Sequence, residues 1–136
     1  MVGGRIDVDL AAEIWAAALK VRWDGVDVWF HGDLSEGNLL LKDGQLAAVI
    51  DFGTCGVGDP AFDLAMAWTL LTEPGRQAFR DRLNVDDASW ARGRGWALWK
   101  TLVQYAGAIE DADDDDAAES LRVLNEIFVE YSNRMQ

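Results

Sequence analysis

The chain has 136 residues, half of them apolar and 2 of them proline, which excludes wholesale disorder and allows one hydrophobic core, so we expect a single domain over residues 1–136. Its 24 acidic and 12 basic side chains give a formal net charge of −12, which argues against nucleic acid as a partner. This charge permits a cationic ligand, but on charge alone a solvated acidic surface is the favoured reading. No apolar run is long enough to cross a bilayer, and Met1–Leu10 lacks the pattern of a secretion signal. The single cysteine, Cys55, cannot form an internal disulfide, which suits a reducing compartment. We therefore expect a cytoplasmic protein without a membrane partner.

The first part of the chain predicts one helix and one strand. Residues 9–21 are rich in alanine and repeat apolar side chains at helical spacing, which predicts a helix. The pair Asp24-Gly25 ends that pattern, because glycine and aspartate favour turns. Residues 26–31 are rich in β-prone side chains and predict a strand that ends where polar residues begin.

A β-hairpin is predicted next, followed by a loop. Two apolar runs, residues 39–41 and 47–50, flank the pair Asp43-Gly44, which is a strong signal for a two-residue hairpin turn. After Asp51 the chain is rich in glycine from residue 53 to residue 58, which predicts a loop.

The second half of the chain is predicted to be helical. Pro60 suits a helix start with Asp59 as its cap, and this helix should run to about Leu71 and stop near Pro74-Gly75. Further helices are expected at residues 76–83, from Asp86 through Tyr105, and at residues 118–131, with a polar loop over residues 110–116.

Three polar side chains border the predicted strands. Asp33 follows the first strand, Asn38 comes five residues later, and Asp51 follows the second strand of the hairpin. Because a hairpin brings its two ends together, Asn38 and Asp51 should face each other. Amide and carboxylate oxygens are ligands that Mg²⁺ accepts, with phosphate oxygens and waters completing the shell. Asp33, on the neighbouring loop, could accept a proton from a hydroxyl group directed at the same phosphate.

The motifs around these residues are typical of kinases. The run H-G-D-L-S-E-G-N keeps the Asp-to-Asn interval of a kinase catalytic loop, and I-D-F-G contains the second kinase motif. Together with G-D-P-A-F-D-L-A, they resemble the aminoglycoside phosphotransferase family, within the larger kinase-like fold, from about Trp23 onward. The resemblance implies an α+β fold class: a protein-kinase-like C-terminal lobe, mainly α-helical, with a small β-hairpin that carries the catalytic and metal-binding loops.

The resemblance also implies roles for individual residues. Asp33 would be the catalytic base, and Asn38 and Asp51 would bind Mg²⁺ together with ATP or GTP, the phosphoryl donor. The residues that would support the catalytic loop are His31, Asp59 and Asp63. For the last two, the residues alone also allow a simpler reading, as a helix cap and as a carboxylate in the first turn of a helix.

Two departures from the family pattern stand out. Ser35-Glu36 replaces a pair that is commonly His-Pro in relatives, which leaves the three chemical groups in place. Nothing before His31 resembles the N-terminal lobe of such kinases, whose strand lysine contacts the nucleotide phosphates. We therefore expect a partial C-terminal lobe whose exposed apolar face leads to self-association.

The aromatic and acidic residues of the C-terminal helices have two readings each. Trp90, Trp96 and Trp99 could stack on a cationic ligand, but their helical spacing favours packing in the core. The acidic residues near residue 110 suit a solvated loop. By resemblance, however, Glu110 and Asp111 are candidates for binding a cationic, polyamine-like substrate.

The sequence therefore predicts an aminoglycoside phosphotransferase-like kinase of the antibiotic-resistance type, which moves the γ-phosphoryl group of a nucleoside triphosphate to a hydroxyl group of a small molecule. Two alternatives remain open. One is a kinase of the same superfamily that acts on another small hydroxylated metabolite or on a macrolide. The other is a truncated fragment that binds a metal ion or a partner without catalysing transfer.

Overall fold

The computed structural model describes residues 6–135 and shows a mainly helical chain with short antiparallel strands, as predicted. The N-terminal expectation for Met1–Leu10 therefore lies partly outside the described residues. The helices are α1 (Val8–Lys20), α2 (Ala61–Leu64), α3 (Met66–Thr69), α4 (Glu73–Leu83), α5 (Asp87–Glu110) and α6 (Asp114–Arg134). The strands are β1 (Val28–Phe30), β2 (Leu39–Lys42), β3 (Gln45–Val49) and β4 (Gly56–Gly58). None of the helices within residues 6–135 combines the length and apolar character needed to cross a membrane.

The predicted hairpin is confirmed. Strands β2 and β3 pair antiparallel, with Leu39 opposite Val49. Their connection is the pair Asp43-Gly44, with φ angles of 52° and 76°. Two consecutive positive φ angles are the geometry that a two-residue hairpin turn requires, and aspartate followed by glycine adopts it at low cost.

The loop predicted over residues 53–58 is partly wrong, because residues 56–58 form β4, which pairs antiparallel with β1. A strand that contains two glycines has little local β-propensity, so the pairing was not visible in the sequence. Gly56 has a packing reason to be glycine: a Cβ atom there would lie 2.6 Å from the ring of Phe30. The missing side chain lets the aromatic ring cover the backbone.

The helix predicted from Pro60 to about Leu71 is interrupted, since α2 and α3 are separate four-residue helices that meet at Ala65. The expectation that Pro74-Gly75 ends a helix was also wrong, because both residues lie in the first turn of α4. Proline is favoured there, since the amide group that it lacks has no helical partner at that position. The predicted segment 76–83 is the remainder of α4.

The last two helices are longer than predicted. Helix α5 extends to Glu110 and α6 begins at Asp114, so the predicted polar loop over residues 110–116 shrinks to three residues. The Asp113 side chain accepts a hydrogen bond from the amide of Asp116 and so caps α6. Carboxylates in a first helical turn interact favourably with the helix dipole, which explains why the acidic run begins a helix.

The core lies where α5 packs against α6, α1 and α2. Its largest fully buried side chains are Trp68, Trp90, Ile14, Leu98, Leu124 and Ile127. Two glycines of α5 permit the close approach of neighbouring helices. A Cβ atom on Gly93 would lie 2.7 Å from Leu64 Cβ, and one on Gly95 would lie 2.5 Å from Ala18 Cβ. Helix α5 is thereby fixed against α1 and α2, and its remaining face borders the loop between β1 and β2.

Candidate active site

The loop between β1 and β2 is organised around His31, which is 6% exposed. Its Nδ1 accepts a hydrogen bond of 3.1 Å from the amide of Asp33, so this nitrogen carries no proton. Its Nε2 therefore carries the proton and donates to the carbonyl oxygen of Ile50 at 2.8 Å. The ring of Phe52 lies 4.6 Å away, centroid to centroid. His31 thus joins the loop that contains Asp33 to the segment that contains Asp51.

Asp63 anchors the same loop from α2. Its carboxylate oxygens accept hydrogen bonds from the amides of His31 at 2.7 Å and Gly32 at 2.8 Å. Gly32 has a φ angle of +89°, and a Cβ atom there would lie 2.4 Å from the carbonyl oxygen of Thr54. A larger residue is excluded at this position on both grounds. The geometry accounts for glycine where protein kinases carry arginine.

Asp33 and Asn38 are brought together, as the motif predicts. The Asn38 amide nitrogen donates to the backbone carbonyl of Asp33 at 2.8 Å and to its Oδ2 at 3.2 Å. The side chain of Asn38 is buried, and within residues 6–135 its Oδ1 takes part in no hydrogen bond. An amide that is held through its nitrogen presents its oxygen as a fixed donor for a metal ion.

Asp51 follows the residue that pairs with Asn38 across the hairpin. The amide of Ile50, the residue before Asp51, donates to the carbonyl oxygen of Asn38 at 2.9 Å. Asp51 is exposed and has a φ angle of +59°, in the left-handed region that aspartate adopts more readily than most residues other than glycine.

The donors at this place fit a magnesium ion. Asn38 and Asp51 supply an amide oxygen and a carboxylate, which are hard ligands, and Mg²⁺ commonly takes its remaining ligands from waters and phosphates. Among residues 6–135, no three His, Cys, Asp or Glu side chains gather in a group that could hold a metal ion. The arrangement therefore suits an ion shared with a phosphate ligand better than one enclosed by the protein.

Lys100 is a site residue that sequence reasoning missed. Its ammonium group lies 2.9 Å from Asp33 Oδ1, although 67 residues separate the two in the chain. The hydrogen bond from Lys100 lowers the pKa of the Asp33 carboxyl group below its ordinary value, and burial opposes this effect only in part. The contact depends on how α5 crosses the loop, so no local pattern in the sequence marks Lys100.

A shallow cleft beside Asp33 is walled by this face of α5. Its lining includes Phe62, Trp96, Trp99 and Lys100. The expectation that the tryptophans of α5 pack in the core was wrong for two of them. Trp96 is 36% exposed and Trp99 is 46% exposed. Their rings pack edge to face, with 5.8 Å between the ring centroids. Trp90, in contrast, is 1% exposed and belongs to the core.

Asp59 takes part in a different set of contacts. Its carboxylate pairs with the buried Arg92 at 2.7 Å and also accepts a hydrogen bond from the amide of Ala61 at 2.9 Å. Within the described part of the chain, Asp59 makes no hydrogen bond to residues 31–38. The N-cap residue of α2 is Pro60, so Asp59 lies one residue before the cap, and its contacts tie the start of α2 to α5.

The structure does not bring the candidate substrate-binding residues Glu110 and Asp111 to Asp33. Lys100 contacts Asp33, and Glu110 lies ten residues farther along the same helix. At 1.5 Å per residue, that separation is about 15 Å of helix. Asp111 lines a separate surface groove with Asp113, Asp116 and Glu119. Contact with a substrate at Asp33 would therefore require a long ligand.

The comparisons with known proteins point to phosphotransferases. A profile of the phosphotransferase enzyme family matches residues 4–96. An aminoglycoside 3'-phosphotransferase of Escherichia coli is 35% identical over 80 residues, which cover 52% of this chain and 30% of that protein. Another of Enterococcus faecalis is 37% identical over 46 residues, which cover 34% of this chain and 17% of that protein. The chain therefore spans less than a third of the length of these relatives.

The fold is similar to that of solved aminoglycoside phosphotransferase structures. A thermostable mutant of aminoglycoside phosphotransferase APH(4)-Ia superposes with a TM-score of 0.63 at 25% identity, covering 90% of this chain and 43% of that one. A ternary complex of that enzyme with AMP-PNP and hygromycin B gives a TM-score of 0.61 at 25% identity, covering 89% of this chain and 42% of that one. These similarities confirm the predicted fold class.

Proposed function

Because the chain belongs to the phosphotransferase enzyme family, we propose that it carries the catalytic and metal-binding loops of a kinase that phosphorylates a hydroxyl group of a small molecule. The observation that supports this most directly is the joining of three groups. The side-chain amide nitrogen of Asn38 donates hydrogen bonds to the backbone and side chain of Asp33. The backbone carbonyl oxygen of Asn38 accepts a hydrogen bond from the amide of Ile50, the residue before Asp51. The proposed base is thus hydrogen-bonded to one proposed metal ligand, and the other, Asp51, directly follows the residue that bonds Asn38.

In the proposed reaction, Asn38 Oδ1 and the Asp51 carboxylate would hold a magnesium ion, which would neutralise the negative charge of the ATP or GTP phosphates. Asp33 accepts a hydrogen bond from the acceptor hydroxyl group and then its proton. The acceptor oxygen forms its bond to the γ-phosphorus as the bond to the bridging oxygen breaks. Positioning contributes most of the rate, because a carboxylate whose pKa is lowered is a weak base.

The loop geometry supports a positioning role. Asp33 is held at its amide by His31, at its carbonyl by Asn38, and through the adjacent amides by Asp63. His31 and Asp63 would therefore act as supports rather than as groups that touch the substrate. For Asp59 we propose a structural role, since its carboxylate pairs with Arg92 on α5.

The proposed acceptor is an aminoglycoside-like polyamine. The net charge of −12 attracts cations, and the relatives of E. coli and E. faecalis are aminoglycoside 3'-phosphotransferases. We propose that Glu110 and Asp111 meet only a remote ammonium group of such a ligand, given their distance from Asp33. We also propose a cytoplasmic location, where nucleoside triphosphates are supplied.

Calorimetric titration with Mg²⁺-ATP and Mg²⁺-GTP tests the metal site. We expect the wild-type chain to bind at least one of them and Asp51→Ala to lose binding, because the metal loses its charged ligand. The matched control is Asp24→Ala, which removes an exposed carboxylate away from the site and should bind as the wild type does. Equal binding by Asp51→Ala would contradict the assignment.

Phosphoryl transfer to hygromycin B, to other aminoglycosides and to uncharged sugars tests the reaction and its acceptor. We expect Asp33→Ala to lose transfer and to retain Mg²⁺-nucleotide affinity, since Asp33 contacts the acceptor. Equal loss of nucleotide binding and transfer would contradict its role as the base. Transfer to uncharged sugars in preference to polyamines would contradict the acceptor class and leave the metal site standing.

A further inference from the structure

The ion pair between Lys100 and Asp33 has no evident role in holding the fold. The Lys100 side chain is 29% exposed and that of Asp33 is 39% exposed. Ion pairs that water reaches to this extent contribute little to stability, because solvent screens them and the side chains lose freedom when they pair. Stability of the fold therefore does not explain the contact between Lys100 and Asp33.

The two ends of the contact differ in how firmly they are anchored. Lys100 projects from α5 between Leu98 and Thr101, both of which are 1% exposed, so its backbone belongs to the core. Asp33 lies on a loop whose backbone is held by His31 and Asn38. The side-chain torsions of an aspartate are not fixed by such backbone contacts. They are fixed by whatever holds the two carboxylate oxygens.

Each carboxylate oxygen of Asp33 has its own side-chain partner. Oδ1 accepts from Lys100 at 2.9 Å, and Oδ2 accepts from Asn38 at 3.2 Å. A carboxylate offers about four lone-pair positions, so both oxygens retain capacity for an acceptor hydroxyl group. The bond from Lys100 is the shorter one and joins two charged groups, whereas the Asn38 amide is neutral, which makes the Lys100 bond the stronger of the two.

We propose that Lys100 is a positioning residue, which orients the carboxylate of Asp33 for the acceptor hydroxyl group. This inference rests on the proposed function of the site. Lys100 acts through Asp33 rather than on the phosphate, and it does so from α5, outside the two motifs that identify the family. Loss of its ammonium group leaves Oδ1 unheld, and the carboxylate then rotates away from the productive orientation.

The kinetic test uses the full chain with Lys100→Met, which keeps the length and apolar stem of the side chain. A misplacement of about 1 Å in a reacting group reduces turnover on the order of 100-fold. We therefore expect kcat to fall about 10- to 100-fold, with the nucleotide KM and the melting temperature unchanged. Lys100→Arg restores a donor and should recover most of the loss. The control Lys42→Met removes an exposed lysine from the hairpin and should change nothing.

Three kinetic results would overturn the proposal. The first is a kcat in Lys100→Met that equals the wild-type value. The second is an equal fall of kcat in Lys100→Met and Lys100→Arg, together with a lowered melting temperature in both. The third is a kcat in Lys100→Met that exceeds the wild-type value. The first denies any role, the second indicates a purely structural role, and the third indicates that Lys100 blocks the site.

A second measurement needs no turnover and separates this inference from the proposed function. Trace acetylation with acetic anhydride, read by mass spectrometry, compares Lys100 with Lys42 in the wild-type chain and in Asp33→Asn. If Lys100 pairs with Asp33, its reactivity rises severalfold in the variant while that of Lys42 stays constant. Unchanged reactivity of Lys100 overturns the inference. Absence of transfer in a wild-type chain that binds no nucleotide would instead contradict the proposed function.

Discussion

Removal of the Asp63 carboxylate should both destabilise the chain and release its catalytic loop. Asp63→Ala leaves the amides of His31 and Gly32 without the acceptors that now lie at 2.7 and 2.8 Å. A hydrogen bond to a charged group contributes about 1.5–3 kcal/mol. Because Asp63 is only partly buried, water replaces part of this, and we expect a loss of about 2–4 kcal/mol for the two bonds together.

Urea denaturation followed by tryptophan fluorescence measures this loss. With a slope of about 2 kcal/mol per M, the unfolding midpoint should fall by about 1–2 M. Amide hydrogen exchange adds a local readout, in which the Gly32 amide should exchange faster in Asp63→Ala than in the wild type. The control Asp24→Ala should leave both quantities unchanged. A wild-type midpoint together with wild-type Gly32 exchange would refute the idea that α2 anchors the loop.

Two further predictions concern the acid stability of the chain and its association. Burial raises the pKa of Glu130, but hydrogen bonds from Arg94, Trp90 and Arg134 outweigh it and hold that pKa below the ordinary value of 4.5. The unfolded chain therefore binds a proton at Glu130 more readily than the folded chain does. The stability that Glu130 contributes is present above about pH 4.5 and is lost as the pH falls through the folded pKa. In Glu130→Gln, the urea midpoint should change less between pH 7 and pH 3 than in the wild type, and an equal change would contradict the reasoning. The strands β1 to β4 expose large apolar side chains, which should cause the chain to self-associate. Light scattering should then show an average mass that rises with protein concentration. A constant monomer mass would contradict this prediction.

Elements whose structure is decided by nearby residues were predictable from the sequence. The hairpin turn at Asp43-Gly44 follows from the backbone freedom of those two residues, and α1 differs from its predicted range by one residue at each end. Elements decided by distant partners were not predictable. Strand β4 exists because Gly56 fits under Phe30, and neither its two glycines nor its length of three residues favours a strand.

The same distinction applies to the candidate site. Asp33, Asn38 and Asp51 lie within nineteen positions of one another, and a single hairpin joins them, so their proximity could be inferred from the chain order. The contacts of Asp59 with Arg92 and of Asp33 with Lys100 depend on how α5 crosses the loop. That crossing is set by the close approach of Gly93 to α2, which no local pattern reveals.

The position of α5 links the fold to the proposed specificity. Its buried side, with Trp90 and Leu98, is fixed by packing in the core, whereas Trp96, Trp99 and Lys100 form the wall beside Asp33. Under the proposed function, substitutions of Trp96 and Trp99 should alter the acceptor cleft without disturbing the core, since both residues are partly exposed. The loop that contains Asp33, in contrast, is held by buried or short contacts that tolerate little change. Lys100 shares the face of the two tryptophans but contacts Asp33, so we expect acceptor choice to vary with Trp96 and Trp99 while Lys100 stays constant.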